Sequence, residues 1–529
     1  MLKNSILIKK NISYLIFPIV IFIYSILINK LSGNNGVVPV DSFSHFDSSA
    51  QVLKNIYPIR DYWMNVGFLI NFIQAFFFNL FGLNWQSYVL HASLFNALLS
   101  LVTYFFFTNL QIKRHYSFFY SICFATLFYP TSGTPSVYFH SSMFSLISVY
   151  SFILCYLNKS NILAFLTPTI VIIGFLCAQV PSAYIGVLII FGFFFIAFYE
   201  KKLFVFFILG SIMSLISLIF FLKVAKIELV DFIQQHILFP LSIGSSRVLN
   251  NDYAYARFID ITIDRVIFDF KFIYVFWVPL FIITFRNILF EKKINIEKNF
   301  INLFFITNVI FFIFYQLTTN NQLFIYFLIP VTAAVLHYNL ANFNSYTKMR
   351  FIFIMLIVFS TYKYGHRNII ERRFNDFQWT DMSVSMDAEI ISSKLRGLKW
   401  VTPLNWGLSR DVKKEIQIIN DLKLLMKKDN RNKVLMTNFQ LFSIISDNNI
   451  FYTQSAFFQN ATNPDENSKF YKYYSQKINQ FLKKNNILVI YFFDVESLFF
   501  SKIIEEKCRS GIINVKEYEI KYIEIVKCD

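Results

Sequence analysis

Apolar runs long enough to cross hydrocarbon recur from Tyr14 to Tyr364, and short loops carrying Lys and Arg separate them. No soluble core can hide that many such runs, so they require a bilayer and internally satisfied helices. Mean hydropathy is +0.49, with 56% hydrophobic and 15% charged residues. The formal charge of +17, from 49 basic and 32 acidic residues, would suggest nucleic acid in a soluble chain. Here the cations flank apolar runs, so they read as topology signals and no nucleic-acid partner is expected.

The run Tyr14 to Ile28 follows Lys9 and Lys10 and has no small-residue cleavage site, so it reads as an uncleaved anchor with a cytoplasmic N-terminus. Further spans begin near Tyr88, Tyr116, Val137, Ile162, Ala183, Leu203, Lys271, Ile301, Leu323 and Phe351, giving about eleven crossings. The run Val66 to Phe81 decides the sign of every later loop. If it does not cross, Lys113-Arg114-His115, Glu200-Lys201-Lys202, Glu291-Lys292-Lys293 and Lys348-Met349-Arg350 all fall inside, as the positive-inside rule asks. It is therefore expected to lie against the outer leaflet as a juxtamembrane or re-entrant helix of about 24 Å.

After residue 365 the composition becomes that of a soluble domain. The expected organisation is a transmembrane domain over 1–365 and an extracytoplasmic α/β domain over 366–529. Strands are expected at 433–438, 450–453, 486–493 and 518–526, with helices at 470–484 and 495–508. Cys123, Cys155 and Cys177 lie in apolar runs and Cys508 and Cys528 in the tail, with no CxxC spacing and hence no zinc site. A Cys508 to Cys528 disulfide would need an oxidising compartment.

The polar stretches VPVDSFSHFDSS (38–49) and YPIRDYW (57–63) follow the first span. Charges persist in so apolar a chain only in water or a solvated cavity. Asp41 and His45, four residues apart, share a helix face and suit a general base with an orienting partner; the structural alternative makes Asp41 the N-cap of a helix starting at Ser42. Asp47, Arg60, Asp61, Tyr138 and His140 are substrate-binding candidates. For Arg60 and Asp61 the alternative is an interface anchor with a local ion pair, and for His140 a simple hydrogen bond. The 226–271 loop adds His236, Arg247, Arg257, Arg265 and Lys271, of which Arg247 and Arg257 are backed as contacts for an anionic headgroup.

The order of parts resembles the polyprenyl-phosphate-sugar-dependent glycosyltransferases of the GT-C fold, the superfamily of the protein mannosyltransferases and the aminoarabinose transferase of lipid A. Asp41 to Asp47 stand where that family has an acidic motif in its first external loop. YPIRDYWMNVGFLINFIQAFFFNLFG (57–82) is similar to its juxtamembrane segment. The resemblance covers residues 1 to about 200, and the rest in architecture alone. It implies Asp41 as catalytic base, inversion at the anomeric carbon, and a cation, from Arg60 or the 224–271 loop, beside the departing lipid phosphate. It implies a polyprenyl-phosphate sugar as donor, with a glycan, lipid or protein acceptor on the periplasmic side of a bacterial inner membrane, among membrane lipids. Many relatives carry a second acidic residue before the fifth span; TSGTPSVYFHSS (131–142) has none, with His140 in its place. No metal and no other cofactor is assigned. The rival classes are a lipid or polysaccharide transporter and a non-catalytic envelope assembly subunit.

Overall fold

The computed structural model describes residues 2–249, 262–290, 296–319, 322–340, 346–446, 449–457, 462–495, 497–504, 509–515 and 518–525. The first two thirds are helical: α1 Leu2–Gly33, α2 Pro39–Leu53, α3 Phe68–Phe81, α4 Trp85–Asn109, α5 Arg114–Leu127, α6 Val137–Asn158, α7 Asn161–Cys177, α8 Ser182–Ala197 and α9 Lys201–Val224. A bent helix follows, α10 Leu229–Phe232 running through a π-helical turn into α11 Phe239–Leu249; then come α12 Lys271–Phe290, α13 Ile296–Thr319, α14 Leu328–Leu340 and α15 Tyr346–Gly365.

Among the described residues six helices are long and apolar enough to cross a membrane, within α1, α4, α6, α9, α12 and α13. Four shorter apolar helices accompany them: α3, α7, α8 and a segment ending with α14. Large apolar side chains stay exposed along these elements, among them Leu27 on α1, Phe191 on α8, Ile212 and Ile219 on α9 and Ile282 on α12. Such a surface is stable against lipid and not against water. The chain is a helical membrane protein.

Contacts sort the loops to two ends of the bundle. At one end Lys159 pairs with Glu200 at 2.9 Å and Glu297 at 3.5 Å, Lys298 lies over the Tyr338 ring, and Arg350 over that of Tyr116. This end gathers the basic loops. At the other end the backbones at Gly33 and Gly133 meet so closely that a side chain at either would collide with the other's main chain. There also Arg60 reaches the Ala225 carbonyl, and Gln322 donates to Asp376 at 3.1 Å.

Beyond α15 the chain does not enter its soluble fold at once. Residues 366–411 form short turns and a two-stranded ladder, β1 Met386–Asp387 with β2 Lys399–Trp400. β2 is stitched to the segment before α2 by Gly36 N–H to Lys399 O, Val37 N–H to Val401 O and Lys399 N–H to Asn34 O. The alternating fold then runs α16 Val412–Lys428, β3 Lys433–Met436, α17 Phe442–Ile445, β4 Ile450–Phe451, α18 Tyr471–Lys484, β5 Val489–Phe492, α19 Ser497–Ile503, β6 Arg509–Val515 and β7 Tyr518–Glu524. The sheet order is β4-β3-β5-β7-β6, with β4, β3 and β5 parallel and β7 and β6 antiparallel.

The two-residue period of the strands partitions the core. Leu435, Val489, Tyr491 and Ile520 join Ile416, Ile419, Leu422 and Met426 of α16. Val434, Met436, Ile490 and Phe492 join Ile478 and Phe481 of α18 and Phe500 of α19. Helices thus cover both faces, which is why β3 and β5 are buried at every position. All four expected strands and both expected helices are present. α16 and β6 add to them, Asp411 capping α16 by accepting the Lys413 N–H at 2.8 Å. Cys508 and Cys528 lie outside the described residues.

Candidate functional site

The polar stretch after α1 folds as α2, and its start differs from expectation. Pro39 opens the helix at the position where its missing N–H costs nothing, and Val38 is the N-cap without a side-chain bond. Asp41 therefore caps nothing. It sits in the first turn, where the helix dipole favours a carboxylate.

Asp41 is exposed yet ringed by protein, the condition of a side chain lining a water-filled recess. That enclosure, and then the charge of Asp376, push its carboxyl up to about 6. Asp376 arrives from beyond the last membrane helix, in left-handed conformation at φ +60°. Gln322 and the Trp406 indole, at 3.2 Å, each donate to one of its oxygens. A second acid thus reaches Asp41 from more than three hundred residues away, although 131–142 holds none. Behind α2 lies an aromatic cluster of Phe43, Phe46, Trp85, Tyr88 and Trp400, with ring centroids 5.2–6.2 Å apart, mostly edge-to-face, and Phe43 stacked on Trp400; the Tyr88 hydroxyl feels the Asp41 charge.

His45 is not the partner of Asp41. It is buried with Nδ1 2.9 Å from Asn71 Oδ1, and burial lowers its pKa, so it stays neutral. Space for its ring exists because residue 67 is glycine: φ is +77°, and a Cβ there would lie 2.9 Å from His45 Cε1 and collide with Val137. Asn71 and Gln74, three apart on α3, turn one polar face inward.

Gln74 begins a buried chain. Its Oε1 lies 2.8 Å from His91 Nδ1, His91 Nε2 lies 2.9 Å from His140 Nε2, and His140 Nδ1 meets the Tyr129 hydroxyl. With both rings neutral the chain runs in either of two directions: Tyr129 to His140 to His91 to Gln74, or the reverse with the Gln74 amide turned over, in which His140 Nδ1–H also faces the Ser136 carbonyl at 3.2 Å and the Gln74 Nε2 gains an acceptor. His140 is thus bound into a relay. Tyr138, beside it, is half-buried against Phe324.

Asp47 is buried and accepts from Ser443 of α17 and, at 3.5 Å, from Gln51 Nε2. Burial pushes its carboxyl up to about 7 despite these bonds. Asp61 goes the other way: although burial opposes it, bonds from Arg60, from Lys484 at 2.5 Å and from the Tyr57 N–H hold its pKa below the usual value. Arg60 is fully engaged, with Asp61 at 2.5 Å, the Asn55 and Ala225 carbonyls, and the Tyr57 ring 4.1 Å below it. This is the anchor geometry.

The expected headgroup loop is only partly in view. Arg257 lies outside the described residues, as does the side chain of Arg247 on α11. His236 is no surface cation: it is buried between Phe68, Phe175 and Phe232, and burial lowers its pKa to about 4. Arg265 pairs with Asp269 at 3.6 Å.

The tail is clasped to the bundle around this region. Besides Asp47 to Ser443 and Asp61 to Lys484, buried Asp231 accepts from Tyr473 and Lys477 of α18. Trp63 pairs its backbone with Thr453 and its indole with Thr462, between the rings of Phe239 and Tyr474. Sequence reasoning missed Asn71, Gln74, His91, Tyr129 and Asp376. The first three carried a signal, being amides and an imidazole within otherwise apolar helices; Asp376 carried none. No group of three or more His, Cys, Asp and Glu side chains among the described residues converges as a metal site. No protein family and no curated protein matches this chain.

Proposed function

We propose that this protein is a membrane glycosyltransferase that moves a sugar from a polyprenyl-phosphate donor to a glycan, lipid or protein acceptor, with inversion. The observation that carries the reading is Asp41, a carboxylate open to a recess at the bundle end with its pKa raised to about 6. Such a group is ionised at neutral pH and is a stronger base than a free aspartate. It takes the proton of an acceptor hydroxyl, whose oxygen attacks the anomeric carbon as the carbon–oxygen bond to the lipid phosphate breaks. The phosphate departs as an anion.

The topology that goes with this reading has eleven crossings, α1, α4 to α9 and α12 to α15, with α3 lying at the interface. It is supported by the gathering of Lys159, Lys298 and Arg350 at the end opposite Asp41, which the positive-inside rule assigns to the cytoplasm. The recess and the tail then face the periplasm of a bacterial inner membrane. Arg60, held by Asp61, is not the cation we assign to the leaving phosphate. A transporter reading draws on the Gln74–His91–His140–Tyr129 relay. That relay, however, lies within the first two turns of α4 and α6, at the same end as Asp41, where an enzyme of interfacial substrates needs polar groups and a transporter path at mid-bilayer does not.

The test is transfer of radiolabelled sugar from a panel of polyprenyl-phosphate donors into membrane extract. Asp41→Asn should cut transfer by roughly 10² to 10⁴ while the protein inserts normally. Full activity in Asp41→Asn removes the base assignment, and no transfer from any donor favours the transporter.

A further inference from the structure

A groove of about 320 Å³ lies between α1 and the start of α4, closed at one end by Phe81 of α3, the size of a small-ligand site. Its walls differ in character. Ile26 and Leu90 form an apolar side, and Asn84, Gln86 and Ser87 form a polar one. Lys30, one turn beyond Ile26 on α1, is the cation that lines the groove.

Spacing on α1 gives the groove a direction. Ile23, Ile26, Leu27 and Lys30 fall at i, i+3, i+4 and i+7, on a single face. Ile23 and Leu27 are more than half exposed. An outward apolar stripe therefore leads along the helix and ends at a cation. No carboxylate pairs with Lys30 among the described residues. By contrast the neighbouring polar groups are already bonded: Ser87 Oγ donates to the Phe81 carbonyl at 3.0 Å, and Gln86 Nε2 to Asn34 Oδ1 at 3.1 Å and to the Arg396 carbonyl at 3.2 Å. The polar wall is fixed in place, and Arg396 behind it is paired with Glu389, whereas Lys30 meets no carboxylate among the described residues.

We propose that this groove binds a lipid carrying a phosphate, its chain along Ile23 and Leu27 and its phosphate at the Lys30 ammonium. A neutral lipid would leave the cation unpaired, and a water-soluble anion would leave the apolar stripe unused. The site is independent of the sugar-transfer reading. Its phosphate chemistry belongs equally to a membrane phospholipid and to a polyprenyl phosphate, and the experiment separates these sources.

Full-length protein in detergent would be titrated with fluorescent phosphatidylglycerol, with undecaprenyl phosphate and diacylglycerol as competitors. Saturable binding that diacylglycerol does not displace is expected. Lys30→Gln should weaken it about fivefold, the effect of one interfacial cation, and Lys30→Arg should retain it. Leu90→Trp, filling the apolar wall, should abolish it. Undecaprenyl phosphate displacing the probe at a tenth of the phosphatidylglycerol concentration would make the groove a polyprenyl site; equal potency would make it a phospholipid site. Displacement by diacylglycerol, or wild-type binding by both Lys30→Gln and Leu90→Trp in proteins that elute as wild type does, would overturn the proposal. Because binding is read without any transfer reaction, an inactive sugar assay leaves this result standing.

Discussion

Removing the charge of Asp47 should make the protein more stable above neutral pH and take away part of its pH dependence. Asp47 is 1% exposed, and its pKa rises from 3.8 to about 7, burial outweighing the bond from Ser443, the charge of Lys54 and the bond from Gln51. The Tyr62 and Tyr452 hydroxyls are the other titratable groups that feel its charge. Because the folded pKa exceeds the unfolded one, the folded state holds the extra proton between these values. The contribution of Asp47 to stability is therefore greatest at low pH and declines as pH rises through the window, levelling off above about pH 7. A shift of about three units corresponds to about 4 kcal/mol in full, of which about 3 kcal/mol falls between about pH 5 and pH 8. Asn at 47 keeps an acceptor for Ser443 without an ionisable group. The assay is thermal unfolding of the full chain in nanodiscs across that range. For a chain this long, 3 kcal/mol is about 3 °C by the usual unfolding entropy per residue. The wild type should lose about that much more than Asp47→Asn between the two ends. Asp41 and Asp494, both raised to about 6, slope the same way in both proteins and cancel in the comparison. Equal losses in wild type and variant would refute the reasoning.

Three further outcomes follow from the geometry. Gly67→Ala combines a positive φ with collision against His45 and Val137, whereas Gly82→Ala has a similar φ but meets only Asn84 Nδ2 at 3.2 Å. Gly67, at ψ 16°, should lose about 1 kcal/mol from the backbone and at least about 1 kcal/mol more from the collisions, whereas Gly82, at ψ 156° in a region only glycine readily enters, should lose about 1–3 kcal/mol from the backbone alone; denaturant unfolding measures both. Arg60→Ala strips Asp61 of the more buried of its two cationic partners and should cost about 3 kcal/mol, whereas Lys484→Ala, removing an exposed partner, should cost less than about 1 kcal/mol; limited proteolysis of the docked tail reads the difference. If Asp41 is the base, Asp376→Asn should move the acid limb of the transfer pH profile downward, because a neighbouring negative charge raises Asp41.

Local pattern revealed much of the fold. Strands at β3, β4, β5 and β7 alternate or run apolar over strand length between turn residues, and α18 shows its stripe plainly. β6 did not, since RSGIINV is an exposed edge strand whose Gly511 makes room for the Tyr522 ring across the ladder. In the site, α2 and its acids were legible because charge beside a membrane span is costly. Their partners were not. The four-residue spacing that suggested Asp41 with His45 gives no information about Asn71, which captures the imidazole, or about Asp376, brought in by the packing of Phe377 against Gly36. Arg60 could be read either way from sequence, and only the positions of Asn55 and Ala225 decide it.

The carboxylates that clasp the tail come from three separate stretches, and their partners lie 396, 423 and 246 residues further along the chain. Contacts of such separation form late, because each closes a very long loop. During synthesis the bundle can insert helix by helix while Asp47, Asp61 and Asp231 wait without their tail partners, and the segment that brings the charge of Asp376 to bear on Asp41 is made only after α15. The chain is thus built so that its recess acquires its second acid after the last membrane helix, and its cover only when α17 and α18 have been made.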